Sequence, residues 1–241
     1  MVVKSQIKFI KSLQQKKYRT RHRLFVAEGI KTVRELLMSD YKEYAIYSTD
    51  PDFFETSSAK LHLVSRSELV QMSGLKSPNT CLGVFHIPEP ETIDFNDWVV
   101  ALDGVNDPGN LGTIIRLCDW FGIKHLLCSQ DTVDCYNPKV LQATMGSISR
   151  VNIHYVDLKT TLTDTENLVY GAFMEGKEVY STKLAQTGIL VMGNEANGIS
   201  EELSSIIAQK ISIPQFGEQT TESLNVATAT AILLNEIRRK A

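Results

Sequence analysis

Three short blocks in the second half of the chain combine turn-forming residues with polar side chains able to hold a ligand or move a proton. The first, Asp107-Pro108-Gly109-Asn110, is followed by Arg116. Pro108 fixes φ and Gly109 admits positive φ, so the tripeptide reads as a turn, and Asn110 is expected to cap the helix that follows. Arg116 lies about 1.7 helical turns later and projects to a different side of that helix. By spacing alone the two residues read as an N-cap and a surface charge with its aliphatic stem on the core. In the second block, Gly193-Asn194-Glu195-Ala196-Asn197-Gly198, glycines on both sides of Asn-Glu let a ligand approach the backbone. Glu195 leaves the end of an apolar strand, where an unpaired carboxylate is costly, so it needs a partner such as an arginine. The third block runs from Ile213-Pro214 to Ser223-Leu224-Asn225 and enters a helix of small residues, which either Ser223 or Asn225 can cap. Helix N-termini also bind anions and polar ligands, so capping and function are compatible.

Other chemistries lack their signatures. No G-x-G-x-x-G or G-K-[ST] loop follows the first strand of this half. Cys81, Cys118, Cys128 and Cys135 form no C-x-x-C pair, and the five histidines are dispersed, so no metal is expected. Scattered thiols of this kind suit burial as small apolar residues in a reducing cytoplasm.

The elements that must position these blocks alternate. Trp98 opens the strand WVVALDGV, then come the DPGN turn and the helix LGTIIRLCDWFG, the strand KHLLCS, and the helix NPKVLQATMGSIS. NIHYV, LVYGAFM and GILVMG read as strands, SEELSSIIAQ as a helix, KISIP as a last strand, and SLNVATATAILLNEIRRK as the terminal helix. This pattern predicts a mostly parallel sheet covered on both faces, with the first block at the carboxyl end of a strand, where such sheets bind ligands. Before it, a helix over 3–15, strands over 24–29, 43–48, 61–65 and 80–87, and helices over 30–39 and 65–74 make a small α/β domain. The Pro- and acid-containing stretch PEPETIDFND (88–97) ends the first domain, and the expected division is 1–92 and 98–241 with a linker at 93–97.

At 241 residues, with 43% hydrophobic and 22% charged residues, the composition is that of a globular protein with room for two modest cores. No apolar run reaches the roughly 20 residues that span a bilayer. The first residues, MVVKSQIKFIKSLQQKKYR, carry charge throughout and are not expected to be a secretory signal. The net charge of −3 is unevenly spread: eight of the 25 basic residues, among them Lys16, Lys17, Arg19, Arg21 and Arg23, precede the first acid, Glu28. Such a segment is either a solvated helix or a footprint for phosphates.

Together, DPGNLGTIIR, VMGNEANGIS and IPQFGEQTTESLNVATATAI resemble, in order and approximate spacing, the three motifs of the SpoU (TrmH) family of RNA 2′-O-ribose methyltransferases. KKYRTRHRLFVAEGIKTVRELL is similar to the opening of the small substrate-binding domain of the ribosomal-RNA members. The resemblance implies an α/β fold whose C-terminal segment forms a trefoil knot, a homodimer, and S-adenosylmethionine held by Gly193, Asn194, Ile213, Leu224 and Asn225. It implies a catalytic set of Arg116, Glu195, Asn110, Ser223 and Asn225, with RNA, ribosomal rather than transfer, meeting Lys16, Lys17, Arg19, Arg21, Arg23 and Arg116. Free guanidinium has a pKa above about 12 and is a poor base, so Arg116 is expected to clamp the adjacent phosphate and lower the pKa of the hydroxyl. Glu195 would orient Arg116 or the ribose, and the neutral side chains would place it. The chain departs from the family pattern at Ala196, where glycine is common, and in a slightly longer stretch from Ile213 to Ser223.

Overall fold

The computed structural model describes residues 2–50, 52, 60–217 and 223–240. Its chain packs as two units, Met1–Glu89 with Asp134–Ser149, and Pro90–Val133 with Arg150–Ala241. Residues 218–222, inside the third sequence block, lie outside the described residues.

The first unit opens with α1 (Lys4–Ser12) and α2 (Lys16–His22), the latter ended by Arg23 in the left-handed region at φ 53°. There follow β1 (Leu24–Glu28), α3 (Ile30–Leu37), β2 (Glu43–Ser48), β3 (Leu61–Leu63), α4 (Arg66–Met72) and β4 (Cys81–His86). The strands lie in the order β1-β4-β2-β3, with β4 antiparallel to both neighbours and β2 parallel to β3. Ser65 and Glu68 form a capping box, each side chain accepting from the other's amide, so α4 starts where the sequence predicts. Leu24, Val26, Ala45, Tyr47, Leu82 and Val84 form one core with Ile10 and Leu13 at one end of the chain and Leu69 and Met72 from α4. The helices over residues 4–22 are therefore part of the core and not an appended tail.

Arg19 corrects one expectation. It is 3% exposed, its guanidinium pairs with Asp134, and it donates to the carbonyls of Leu13 at 3.0 Å and Gln14 at 2.8 Å. An arginine so enclosed fastens its own unit and presents no charge to a phosphate. The pattern of basic residues concealed this, because charge counting does not distinguish an inward basic side chain on a polar helix.

The second unit contains β5 (Val99–Leu102), α5 (Pro108–Trp120) and β6 (His125–Cys128). The chain then departs through α6 (Pro138–Thr144), which packs with β1, while Tyr136 sets its ring 4.5 Å from that of Phe25. The first unit is thus assembled from two stretches of chain, whereas the division drawn from sequence has a single cut. β7 (Asn152–Tyr155), α7 (Leu158–Thr163), β8 (Val169–Glu178), β9 (Ile189–Met192), α8 (Glu201–Ser204), β10 (Gln209–Ser212) and α9 (Val226–Lys240) complete the second unit. Its six strands are all parallel, in the order β10-β8-β9-β5-β6-β7. β5, β6 and β9 are buried throughout, as strands covered on both faces must be. Ile93 and Phe95, from the expected linker, pack against this unit's core.

Several elements differ from expectation: α2 was not expected, and α6 ends at Thr144 where the helix was expected to continue to Ser149. The helix over 200–209 shortens to α8, because Ile207 turns into the core and the chain enters β10 almost at once. α7 was not expected: it is a single capped stretch in which Asp157 accepts from the Thr160 amide and Leu158 and Leu162 face inward, too short to show periodicity. All four cysteines are buried thiols. Among the described residues no helix is long and apolar enough to cross a membrane.

Candidate active site

β5 and β9 are neighbours, with Leu102 opposite Met192 at their carboxyl ends. From β5 the chain moves by α5 toward β6 and β7, and from β9 it moves by α8 to β10 on the other side. Strand order reverses between them, and in open parallel sheets the crevice beyond such a reversal is where ligands bind. The first two blocks emerge there side by side.

The loop after β5 turns at Gly104, φ 69°, whose carbonyl accepts from Asn194 Nδ2 at 2.6 Å. Asp103 Oδ2 accepts from the Ser200 amide at 2.7 Å. Asp107 then caps α5, its Oδ1 accepting from the Asn110 amide at 2.8 Å with Pro108 at the first helical position. This corrects the assignment of the cap to Asn110, which lies inside the first turn with its side chain left for other work. Asp107 and Asp103 are the positioning residues that sequence reasoning missed. An Asp immediately before Pro-Gly was the available signal for the cap; Asp103 had none, because its partner is 97 positions away.

The loop after β9 folds back on itself. Asn194 and Gly198 exchange two backbone hydrogen bonds of 2.9 Å, and Asn194 Oδ1 accepts from the amides of Ala196 and Asn197. The fold-back requires Gly193, because a Cβ there would lie 2.2 Å from the backbone carbon of Gly198. Glu195 projects from this turn. Its carboxylate accepts from the amides of Asn106 and Asp107, both at 3.2 Å, and from Asn110 Nδ2 at 3.0 Å. Amides, and not the expected arginine, are its partners, and the carboxylate is exposed where the sequence suggested burial. Burial raises its pKa somewhat, but hydrogen bonds from the Asn110 side chain and from the amides of Glu195 itself, Asn106 and Asp107 outweigh this and hold it below the usual carboxylate range.

The third block joins through Asn225. Its Nδ2 donates to Asn110 Oδ1 at 2.9 Å, and its own Oδ1 accepts from the amides of Ala227 and Thr228 at the start of α9. A relay runs from the helix N-terminus through Asn225 and Asn110 to Glu195. Each asparagine must donate on one side and accept on the other, which neither Asp nor Leu can do. Of the two caps the sequence left open, the structure selects Asn225 over Ser223.

A cleft of about 1150 Å³ opens beside the relay. Gly193, Asn194, Glu195, Ile213, Ser223, Leu224 and Asn225, all expected site residues, line it, with Phe173 and Leu233 adding apolar wall that only the strand order brings near. Asn110 reaches the group through its hydrogen bonds. Arg116 stands apart: it is exposed on α5 and makes no hydrogen bond or ion pair with any described residue. In the first unit Lys16, Lys17 and Arg21 are exposed, while Arg23 is partly engaged by Glu89 at 2.8 Å and the Pro88 carbonyl at 3.0 Å. Among the described residues no group of His, Cys, Asp and Glu could hold a metal ion.

An open parallel sheet with an apolar cleft, a Gly-rich fold-back and a neutral hydrogen-bond relay at its switch point defines an α/β protein that binds an organic ligand at the strand ends. The profile of the SpoU rRNA Methylase family matches residues 97–235, and the chain belongs to that family. The MRM3-like substrate binding domain matches residues 4–83. The 23S rRNA (guanosine(2553)-2′-O)-methyltransferase RlmP of Bacillus subtilis is 30% identical over 240 residues, covering 96% of this chain and 95% of that protein. Among solved structures, a TrmH-family protein of Porphyromonas gingivalis superposes with a TM-score of 0.93 at 36% identity, covering 100% of both chains. The AdoMet-bound rRNA methyltransferase of Sinorhizobium meliloti does so at 0.88 and 28% identity, over 99% of this chain and 96% of that one.

Proposed function

We propose that this protein transfers a methyl group from S-adenosylmethionine to a ribose 2′-hydroxyl of ribosomal RNA. The observation that carries the proposal is the relay, which ties one side chain from each of the three blocks together beside a single cleft. The names of the relatives point to large-subunit RNA as the substrate class.

The cleft suits the cofactor by its chemistry: apolar side chains such as Ile213, Leu224 and Leu233 offer walls for a purine, and the backbone of the glycine-flanked turn offers polar groups at close approach. When bound, S-adenosylmethionine supplies an electrophilic methyl group. Gly193, Asn194, Ile213, Leu224 and Asn225 hold it, largely by backbone, since the Asn194 and Asn225 side chains are engaged with protein groups. Glu195 is an anchored anion. A carboxylate held below its usual pKa is a weak base near neutrality, so its work is to fix Asn110, the loop at 106–107 and the ribose. Ser223, exposed at the cleft, adds a neutral hydrogen bond to the sugar. Arg116 carries a charge that no described residue neutralises, and it pairs with the phosphate beside the reacting ribose, lowering the pKa of the hydroxyl.

The proposal extends to a cytoplasmic homodimer with the C-terminal segment threaded as a trefoil knot. The exposed Trp120 at the end of α5 supports the dimer as an apolar anchor. Lys16, Lys17, Arg21 and Arg23 supply phosphate contacts. The test is methyl transfer from labelled cofactor to protein-free ribosomal RNA and to transfer RNA, followed by alkaline hydrolysis, which spares the bond beside a methylated ribose. Label at a ribose of ribosomal RNA is expected; cofactor binding with no transfer to any RNA would overturn the proposal.

A further inference from the structure

Four aromatic rings gather at one end of the first unit's sheet, three of them outside its core and the fourth, Phe9, packed against it. His22 meets Phe9 edge-on with centroids 5.1 Å apart, Phe9 lies 6.2 Å from Tyr44, and Tyr44 lies 5.9 Å from His86. They come from the last residue of α2, from α1, from β2 and from the last residue of β4. His22 and His86 are exposed, Tyr44 is 47% exposed, and Phe9 is half-buried beneath them.

The backbone is shaped to present them. Glu43 pairs with Phe85 and Ala45 with Val84, so Tyr44 is the extra residue of a β-bulge. Strict alternation would send Tyr44 to the face opposite Ala45, away from α1; the bulge re-aims it to Phe9 on the α1 side. The surrounding charge is positive. Lys8, Arg21 and Lys42 adjoin the cluster in sequence or through the Lys42 carbonyl, which accepts from the His86 amide at 2.9 Å. Of the acids nearest in sequence, Glu43 pairs with Lys60 and Glu89 with Arg23, and Asp40 is exposed two residues before Lys42.

We propose that Tyr44, His86, His22 and Phe9 form a stacking platform for unpaired bases of the RNA, with the flanking lysines and arginines following its phosphates. The proposal rests on RNA being the substrate. Every base has a π face, so a row of exposed rings binds single strands with little sequence demand, and basic residues beside it set the salt dependence. A platform of this kind supplies affinity for a loop or end of the substrate, a role distinct from the chemistry at the cleft.

Deleting residues 1–23 cannot test this, since Ile10, Leu13 and Arg19 are core residues. The test uses the full chain with Tyr44→Ala, His86→Ala, the double substitution and Tyr44→Trp. Binding to a fluorescein-labelled oligoadenylate and to protein-free ribosomal RNA is followed by anisotropy, with thermal melts confirming the fold. Each alanine is expected to weaken binding by about fivefold or more without changing the salt slope, Tyr44→Trp to restore it, and Lys8→Ala with Arg21→Ala to flatten the slope. In methyl transfer the alanine variants raise KM for RNA. Wild-type affinity in the folded double variant would overturn the platform. So would a defect confined to ribosomal particles, because the rings would then face protein. A wild-type chain that binds RNA through these rings yet transfers no methyl group would refute the proposed function and leave the platform standing.

Discussion

Asn110→Asp changes one atom of the relay and reverses what that atom does. In the native side chain Nδ2 donates to Glu195 Oε1 at 3.0 Å while Oδ1 accepts from Asn225 at 2.9 Å. The substitution keeps the acceptor and its bond to Asn225. It replaces the donor by an oxygen of like charge at nearly the same distance from the Glu195 carboxylate. Losing a hydrogen bond to a charged acceptor costs about 1.5–3 kcal/mol when buried; with Glu195 exposed, about 1.5 is the reasonable figure. Repulsion of two unit charges about 3 Å apart is roughly 1.4 kcal/mol at the dielectric of water and about 5 at an effective value of 20. Exposure again selects the lower end. The site should therefore lose about 3 kcal/mol, against about 1.5 for Asn110→Ala, which removes the bond without adding charge.

These energies correspond to roughly 150-fold and 10-fold losses in kcat/KM for methyl transfer. Two controls separate the causes. Raising salt should relieve the Asp variant and leave the Ala variant unchanged, because only the former contains a repulsion to screen. Lowering the pH should also relieve it, since two adjacent carboxyls share a proton at a raised apparent pKa. In the wild type the sign is opposite: Glu195 is held below its ordinary 4.5, so its contribution is complete above that pH and is lost only as pH falls through the lower folded value. Equal activity of the Asp and Ala variants, at all salt concentrations, would refute the relay as the element that organises the site.

Arg116→Ala should abolish methyl transfer while cofactor affinity by calorimetry stays near wild type, because Arg116 lies outside the lining of the cleft; retained turnover would remove it from the mechanism. Gly193→Ala places a Cβ 2.2 Å from the Gly198 backbone, so the fold-back must open; a cost of about 1–3 kcal/mol in denaturant unfolding and a large loss of cofactor affinity are expected. His125 Nδ1 and His154 Nε2 lie 3.1 Å apart in a buried pair. Burial lowers both pKa values, opposed at His125 by Asp94 and Glu91. The folded protein therefore resists protons that the unfolded chain takes up, so stability is full above about pH 6.5 and declines as pH falls through the folded values; Tm should drop between about pH 7 and 5.5 in the wild type and less in His154→Gln.

What could be read in advance depended on whether its cause was local. The six parallel strands follow from short apolar runs alternating with amphipathic segments, and the Ser65–Glu68 cap from four adjacent residues. The three blocks were recognisable because turn chemistry is local: Pro108, Gly193 and Gly198 each dictate backbone shape where they stand. The failures share the opposite character. Arg19 answers to Asp134, which lies 115 positions away, so its charge looked available when it was committed. In one dimension a carboxylate ending a buried strand has few partners besides an arginine; in three, the loop into α5 brings two amides and Asn110 to Glu195. In sequence Asp107 and Asn110 are both competent caps, and only the fold shows that using Asp107 frees Asn110 for Glu195. The relay is thus a consequence of strand order. Reversal of direction between β5 and β9 puts two loops 85 positions apart in contact, and residues chosen for local turns then become partners in chemistry.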